Sequence, residues 1–355
     1  MEPAATDDVA SRYARFADAE ARGHSAVYQA WAEGISSDPE TAALIATLPP
    51  RERQPNLVFA AARFVDPDLV PADLADARPD EYPRLRRTLH SRWAEIVRIT
   101  ATRHTQTNEV ARAAVLLPAV DKVANLCGKP LALIEFGASA GLVLTMEQFR
   151  IHYVDRAGQS VATLSHPAVT NPVGDLTVTT KGSTTCPQGF PQVEWRLGVD
   201  LNPLDPQRPA DAHWLRELIW PGQSHRRARL DAAIEANRRH PVRVIPRDIT
   251  REGVLDEVLG LVPRDLEPVI VHSAVLAYLE ADARAAFADR MLAAVAEHRC
   301  HWISNEGAGV VPQIADAMTP QFRDSLRKGA FVVALDGQPQ YQADGHADWI
   351  LQITS

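Results

Sequence analysis

Glu135, Asp200, Asp248, His272 and Glu306 have one thing in common: each closes or follows a short apolar run, in LALIEF, VEWRLGVD, VRVIPRDI, PVIVHS and HWISNEG. Runs of that length suit buried strands and are too short for helices. Five groups able to carry or accept a proton therefore fall at strand ends, and open sheets of parallel strands bind ligands beyond the C-terminal ends. His272 is the first candidate for a catalytic base, because an imidazole titrates near neutral pH. Glu306, Arg103, His104 and Tyr278 complete the catalytic candidates. His272 equally suits a structural role, hydrogen-bonded where its strand ends.

The stretch that must position these groups is PLALIEFGASAGLVLTMEQ, residues 130–148. Leu131 to Ile134 read as a strand that Glu135 ends. Gly137, Ala138, Ser139, Ala140 and Gly141 are all small, so the chain can turn sharply and a ligand can approach the backbone. Leu142, Met146 and Phe149 then stand at helical spacing, which predicts a helix from Gly141 with its free N–H groups facing the turn. No lysine follows as a phosphate-gripping loop requires, and the order Gly-x-Gly-x-x-Gly of a dinucleotide fingerprint is absent. What remains is acidic-x-Gly-x-x-x-Gly. A turn that only packs helix on sheet explains the same residues.

Around that stretch the sequence reads as a helical N-terminal domain, residues 1–128, and an α/β domain, residues 129–355, with a β-rich insertion at about 151–193. Strand–helix alternation predicts a mostly parallel sheet with helices on both faces. FVVALDG and ADWILQI, separated by QPQYQADGH, predict an antiparallel C-terminal hairpin. Arg103, His104, Gln106, Asn108 and Glu109 gather polar groups ahead of the helix that leads to Glu135. They cap that helix, or Gln106, Asn108 and Glu109 bind substrate together with Ser273. Asp200 could accept hydrogen bonds from ribose hydroxyls, and Asp200, Asn202 and Asp205 also suit ordinary turns before Pro203 and Pro206.

The 355-residue chain holds 37 basic and 45 acidic side chains, which speaks against nucleic acid or an anionic membrane as partner and for a small-molecule substrate. Cys127, Cys186 and Cys300 are far apart and form no C-x-x-C pair, so neither a disulfide framework nor a metal site is expected. Adjacent strand residues point to opposite faces, which also argues against a site on His298, Cys300 and His301. No leader pattern and no long apolar window occurs, so a cytoplasmic protein is expected. A homo- or hetero-oligomer stays open.

QTNEVARAAVLLPAV, LALIEFGASAGL, GVDLNPLDP, HWLRELIWPG, VIVHSAVLAYL and DGQPQYQADGHADWI together resemble an uncharacterised bacterial family, domain of unknown function 2332. The acidic-x-Gly-x-x-x-Gly turn is similar to motif I of the class I methyltransferases that use S-adenosylmethionine (SAM). The resemblance implies a methyltransferase-like, Rossmann-like sheet behind a helical region, with no particular reaction attached. SAM would lie over Gly137 to Gly141, with Glu135 and Asp200 on its polar parts and Asp248 near the adenine. This chain departs from the family pattern: Val143 stands where Asn is expected, and Met146, Glu147 and Phe149 replace a Trp-Asp-Tyr set. The first functional expectation is methyl transfer from SAM to a small, secondary-metabolite substrate. The second is an enzyme of the same fold that transfers no methyl group and catalyses elimination or intramolecular ring closure of a biosynthetic intermediate. A third is a non-catalytic scaffold, against which Trp31, Trp93, Trp214 and Trp220 at helix positions read as core.

Overall fold

A computed structural model of the chain describes residues 3–352 apart from 72, 107, 183 and 185, with side chains from residue 6 onward. Among the described residues six α-helices come first: α1 (Pro3–Phe16), α2 (Ala26–Ser36), α3 (Pro39–Ile45), α4 (Pro55–Val65), α5 (Glu81–Ser91) and α6 (Trp93–Thr100). Helix α7 (Arg112–Cys127) leads into β1 (Leu131–Phe136), β2 (Arg150–Val154), β3 (Ser160–Leu164), β4 (Asp175–Lys181) and β5 (Val193–Asp200). Then follow α8 (Pro209–Glu217), α9 (Ser224–Arg239), β6 (Val244–Pro246), α10 (Val254–Leu259), β7 (Glu267–Ser273), α11 (Ala281–Ala296) and β8 (His301–Gly307). Short helices α12 (Pro312–Asp316) and α13 (Pro320–Asp324) precede β9 (Phe331–Leu335), β10 (Gln338–Ala343) and β11 (Trp349–Gln352).

The chain divides into two compact units, residues 1–107 with 208–231 and residues 108–207 with 232–355. The helical unit packs around Tyr13, Phe16, Tyr28, Trp31 and Phe59, with Trp214 also fully buried and Trp93 and Trp220 partly so. Arg63, 3 % exposed, binds residues 208–231 into this unit. Its guanidinium donates to the carbonyl oxygens of Glu217 at 3.0 Å and Ile219 at 2.7 Å and pairs with the Glu217 carboxylate at 2.9 Å. A buried charge left without such partners would be strongly destabilising.

The expected boundary at residue 128 is therefore displaced, because α7 belongs to the sheet. Pro118 lies inside α7 and has no N–H to give the carbonyl of Ala114. The Tyr153 hydroxyl of β2 donates to that carbonyl at 2.7 Å, and the Tyr341 hydroxyl of β10 donates to the next one, that of Val115, also at 2.7 Å. A helix interruption thus becomes two attachment points on the sheet.

The described residues form an eleven-stranded sheet, β3-β2-β4-β11-β10-β9-β8-β7-β1-β5-β6. The stretch β6-β5-β1-β7-β8 is parallel throughout. The chain moves outward from β1 to β5 and β6 and then returns to β7 on the other side of β1, so the strand order reverses at β1/β7. On one face Ile134, Phe136, Ile270 and Trp302 are buried with Phe287 and Met291 of α11. The sheet is mixed α/β and mostly parallel, as the alternation of elements predicts.

Two local expectations are corrected. No α-helix follows Gly141; residues 143–148 form a 3-10 helix interrupted at Thr145, and β2 begins at Arg150. The apolar spacing of Leu142, Met146 and Phe149 serves simply to bury all three. The C-terminal region is a three-stranded meander rather than one hairpin, because the polar QPQYQA is itself β10. Asp336 and Gly337, with φ of 54° and 79°, make the tight turn between β9 and β10, and Gln342 is buried because it bonds the backbone at Ser325 and Arg327.

Candidate functional site

The glycine turn is held from several sides. Ser139 adopts φ 50°, and its N–H donates to Asp200 Oδ2 at 2.8 Å. The Asn202 N–H donates to Asp200 Oδ1 at 2.8 Å, so the two oxygens of Asp200 brace the turn from the end of β5. Asn108 donates to the Ser139 hydroxyl at 2.8 Å, and the Leu204 N–H to the Ser139 carbonyl at 3.1 Å. Ala138 and Ala140 are buried. A Cβ on Gly137 would come within 2.2 Å of Val275, and one on Gly141 within 3.2 Å of Val244. The glycines make room for the protein's own side chains.

Glu135 lies near the end of β1, just before this turn. It is 5 % exposed, and its Oε2 is fully buried with no hydrogen-bond partner among the described residues. Burial pushes its carboxyl up to about 8, the nearby Asp200 adds to the rise, and the Arg112 guanidinium opposes it. Arg112 is itself fixed: Nη1 donates to the carbonyl of Ser273 at 3.2 Å, and Nε and Nη2 donate to that of Gly345 at 3.2 and 3.1 Å. Asn305, 1 % exposed, donates its amide N–H to the Ser273 hydroxyl at 2.8 Å and leaves its Oδ1 unpartnered. Glu109, also buried, accepts from the Ala111 N–H at 3.2 Å at the start of the helical segment. Glu135, Ser273 and Asn305 lie on one face of β1, β7 and β8, toward α7, at the ends of the strands where the order reverses.

His272 and Glu306 lie on the other face. Strand register sets Glu135 beside Val271 and Phe136 beside His272, and successive residues point to opposite faces. His272 is fully buried between Trp302, which it stacks at 5.9 Å, and Phe287. Its Nδ1 donates to Glu306 Oε1 at 2.9 Å, and the same oxygen accepts the N–H groups of Val275 at 2.9 Å and Leu276 at 3.1 Å. The pair holds the connection after β7 in place, and that connection carries Val275 to Gly137. His272 and Glu306 thus bond each other and this connection, while His272 Nε2 and Glu306 Oε2 are buried with no hydrogen-bond partner among the described residues.

The remaining candidates disperse. Tyr278 is 70 % exposed. Asp248 accepts from the N–H and hydroxyl of Thr250 at 2.9 and 2.6 Å, an ordinary turn. In the helical unit Arg103 pairs with Asp211 at 2.6 Å and lies over the rings of Phe64 and Trp214. The carbonyl of His104 accepts from the Trp214 indole at 3.1 Å, its ring is exposed, and Gln106 is half-buried and bonded. Arg112 and Asn305 are members of the site that the sequence does not single out. Arg112 carries a signal, being a charge set inside the apolar run VARAAVLL; Asn305 carries none beyond its place at a strand end.

As arranged here, the turn does not fit SAM laid across it. Val275 lies where a Cβ on Gly137 would stand, Asp200 braces Ser139 and Asn202, and no α-helix follows Gly141 to present N–H groups. Among the described residues no group of His, Cys, Asp or Glu could hold a metal, and no helix is long and apolar enough to cross a membrane. Fold and site define a mixed α/β protein with a buried polar cluster at the C-terminal edge of its parallel strands. The chain matches, over residues 10–351, the family described as an uncharacterised protein conserved in bacteria, DUF2332, and it belongs to that family. No curated protein matches the chain.

Proposed function

We propose that the chain is an enzyme that moves a proton on a small-molecule substrate, in an elimination or an intramolecular ring closure, with Glu135 as the base. The observation that supports this is the Glu135 carboxyl: it is buried at the point where strand order reverses, burial pushes it up to about 8, and its Oε2 has no hydrogen-bond partner among the described residues. Asp200 and Asp248 are bonded in turns, and Glu306 is bonded through Oε1 with its Oε2 buried and without a partner among the described residues. A base is most effective when its pKa lies near the working pH, and perturbed buried carboxyls concentrate at functional sites.

In this reading Glu135 takes a proton from the substrate. In an elimination the electron pair of the broken C–H bond forms a double bond, and the leaving group departs with its own bonding pair. In a ring closure the pair freed from an N–H or O–H bond forms the new bond to carbon while the leaving group departs likewise. Arg112 supplies the positive field for the ionised carboxylate and the departing anion. Asn108 and Ser139 set the shape of the turn above. The order β6-β5-β1-β7-β8 is the doubly wound order that class I methyltransferases share, so we read the sheet as a relative of that fold put to another chemistry.

The test is turnover of candidate biosynthetic intermediates followed by mass spectrometry, with and without SAM. A product that lacks the leaving group, forms without SAM and disappears in Glu135→Gln is expected. A product heavier by one methyl group and dependent on SAM would overturn the reading.

A further inference from the structure

We propose that a cavity beside β5 binds a free amino acid, whose carboxylate and ammonium take the backbone N–H and C=O of Arg196. Glu135 is not among its lining residues, and the inference does not rest on the proton-transfer reading. The cavity has a volume of about 430 Å³ and lies between the first half of β5 and residues 239–242, within the sheet unit. That is room for a small ligand, whose pockets begin at about 300 Å³.

The strand pairing opens this space. The Gly137 N–H donates to the carbonyl of Val199 and the Gly198 N–H to that of Arg243, so Val199 faces β1 and Gly198 faces β6. Successive residues of a strand alternate, so Arg196 presents its N–H and C=O on the side of Gly198. β6 joins β5 at Gly198, Val199 and Asp200, and no backbone group of residues 239–242 bonds Arg196 among the described residues. Pro241, in the facing wall, has no N–H to offer. The cavity therefore meets one donor and one acceptor on a single residue. In an antiparallel ladder one residue answers such a pair by exchanging both N–H···O bonds. A free amino acid carries the same donor and acceptor on one carbon.

The walls supply both signs of charge. Arg196 is pinned, since its Nε donates to the carbonyl of Leu144 at 3.0 Å and its Nη2 pairs with Glu147 at 3.1 Å. Arg239 pairs with Glu235 at 3.0 Å, and Glu194 accepts from the Gln192 amide at 2.6 Å. Arg196, Arg239, Glu147 and Glu194 all line the cavity. Two guanidinium groups and two carboxylates suit a ligand with one charge of each sign; a simple anion meets both acids, and a simple cation both arginines.

The experiment is an NMR titration of the full chain carrying isotope-labelled arginine, with the Arg196 backbone N–H assigned by Arg196→Lys. The probes are the common amino acids, one at a time, with propionate and propylammonium as controls of a single charge. At least one amino acid is expected to shift the Arg196 N–H saturably, with a dissociation constant of about 1 mM or below and about tenfold or more tighter than either control. Arg239→Glu, at a half-exposed side chain, is expected to weaken that binding about fivefold or more. No saturable shift at Arg196 from any amino acid, an equal one from propionate, or an affinity that Arg239→Glu leaves unchanged overturns the proposal. The wild-type titrations decide it even where the variant fails to fold.

Discussion

Glu135 and His272 differ in what surrounds them more than in what they are. His272 has the residue type expected of a base, but its ring is stacked on Trp302 and its Nδ1–H is committed to Glu306, which also holds two backbone N–H groups. His272 Nε2 and Glu135 Oε2 both lack a partner among the described residues, and what sets Glu135 apart is that burial pushes its carboxyl up to about 8. Its folded value lies above the unfolded one, so the folded chain binds the extra proton and stability falls as pH rises from the ordinary carboxylate range through about 8. Glu135→Gln keeps the shape and removes the titration. It is expected to leave stability unchanged near pH 4 and to raise it by a few kcal/mol above pH 8, read by urea unfolding at the two pH values. Equal stability of the two proteins at high pH would show that the carboxyl ionises without cost. His272 and Glu135 lie on opposite faces because Phe136 and His272 are register partners; that register is a property of the pairing of two distant segments, which periodicity within either one does not contain.

At the scale of elements, the turn GASAGL was legible as a turn, and its purpose was not. Two glycines four residues apart serve a ligand or serve packing, and only the neighbours decide. Val275 comes from a segment more than a hundred residues further along and meets Gly137 through the connection that Glu306 anchors. Gly137→Ala is expected to cost about 2–4 kcal/mol in urea unfolding, from the positive φ and from the overlap with Val275. Adding Val275→Ala should return the overlap part and leave the strain at φ 73°; full recovery would show that the conformation carries no strain, and no recovery that the contact does not matter. The helix expected after Gly141 failed because Leu142, Met146 and Phe149 satisfy burial as well in a 3-10 turn entering a strand as in an α-helix. Strand β10 was hidden for the opposite reason: Gln338, Gln340 and Gln342 look like a polar loop, yet Gln342 is buried by side-chain bonds that composition cannot reveal.

At the scale of the whole molecule, the alternation of strands and helices made the mostly parallel sheet legible, and five of the expected strand ends do fall along its parallel part. The division of the chain was less so. Residues 208–231 read as part of the α/β domain until Arg63 is seen gripping Glu217 and Ile219, and α7 read as part of the helical domain until Tyr153 is seen taking up the Ala114 carbonyl that Pro118 leaves open and Tyr341 the Val115 carbonyl beside it. The helical unit keeps Arg103 in its pair with Asp211, and the sheet unit holds the cluster of Glu135, Arg112, Ser273 and Asn305. The central claim is that one carboxyl at the reversal of strand order is available for proton transfer near neutral pH. The pH profile of the Glu135 carboxyl resonance in the unliganded protein tests it most directly: a midpoint near 8 is the expected result, and a midpoint near 4.5, the ordinary value for a glutamate, would contradict it.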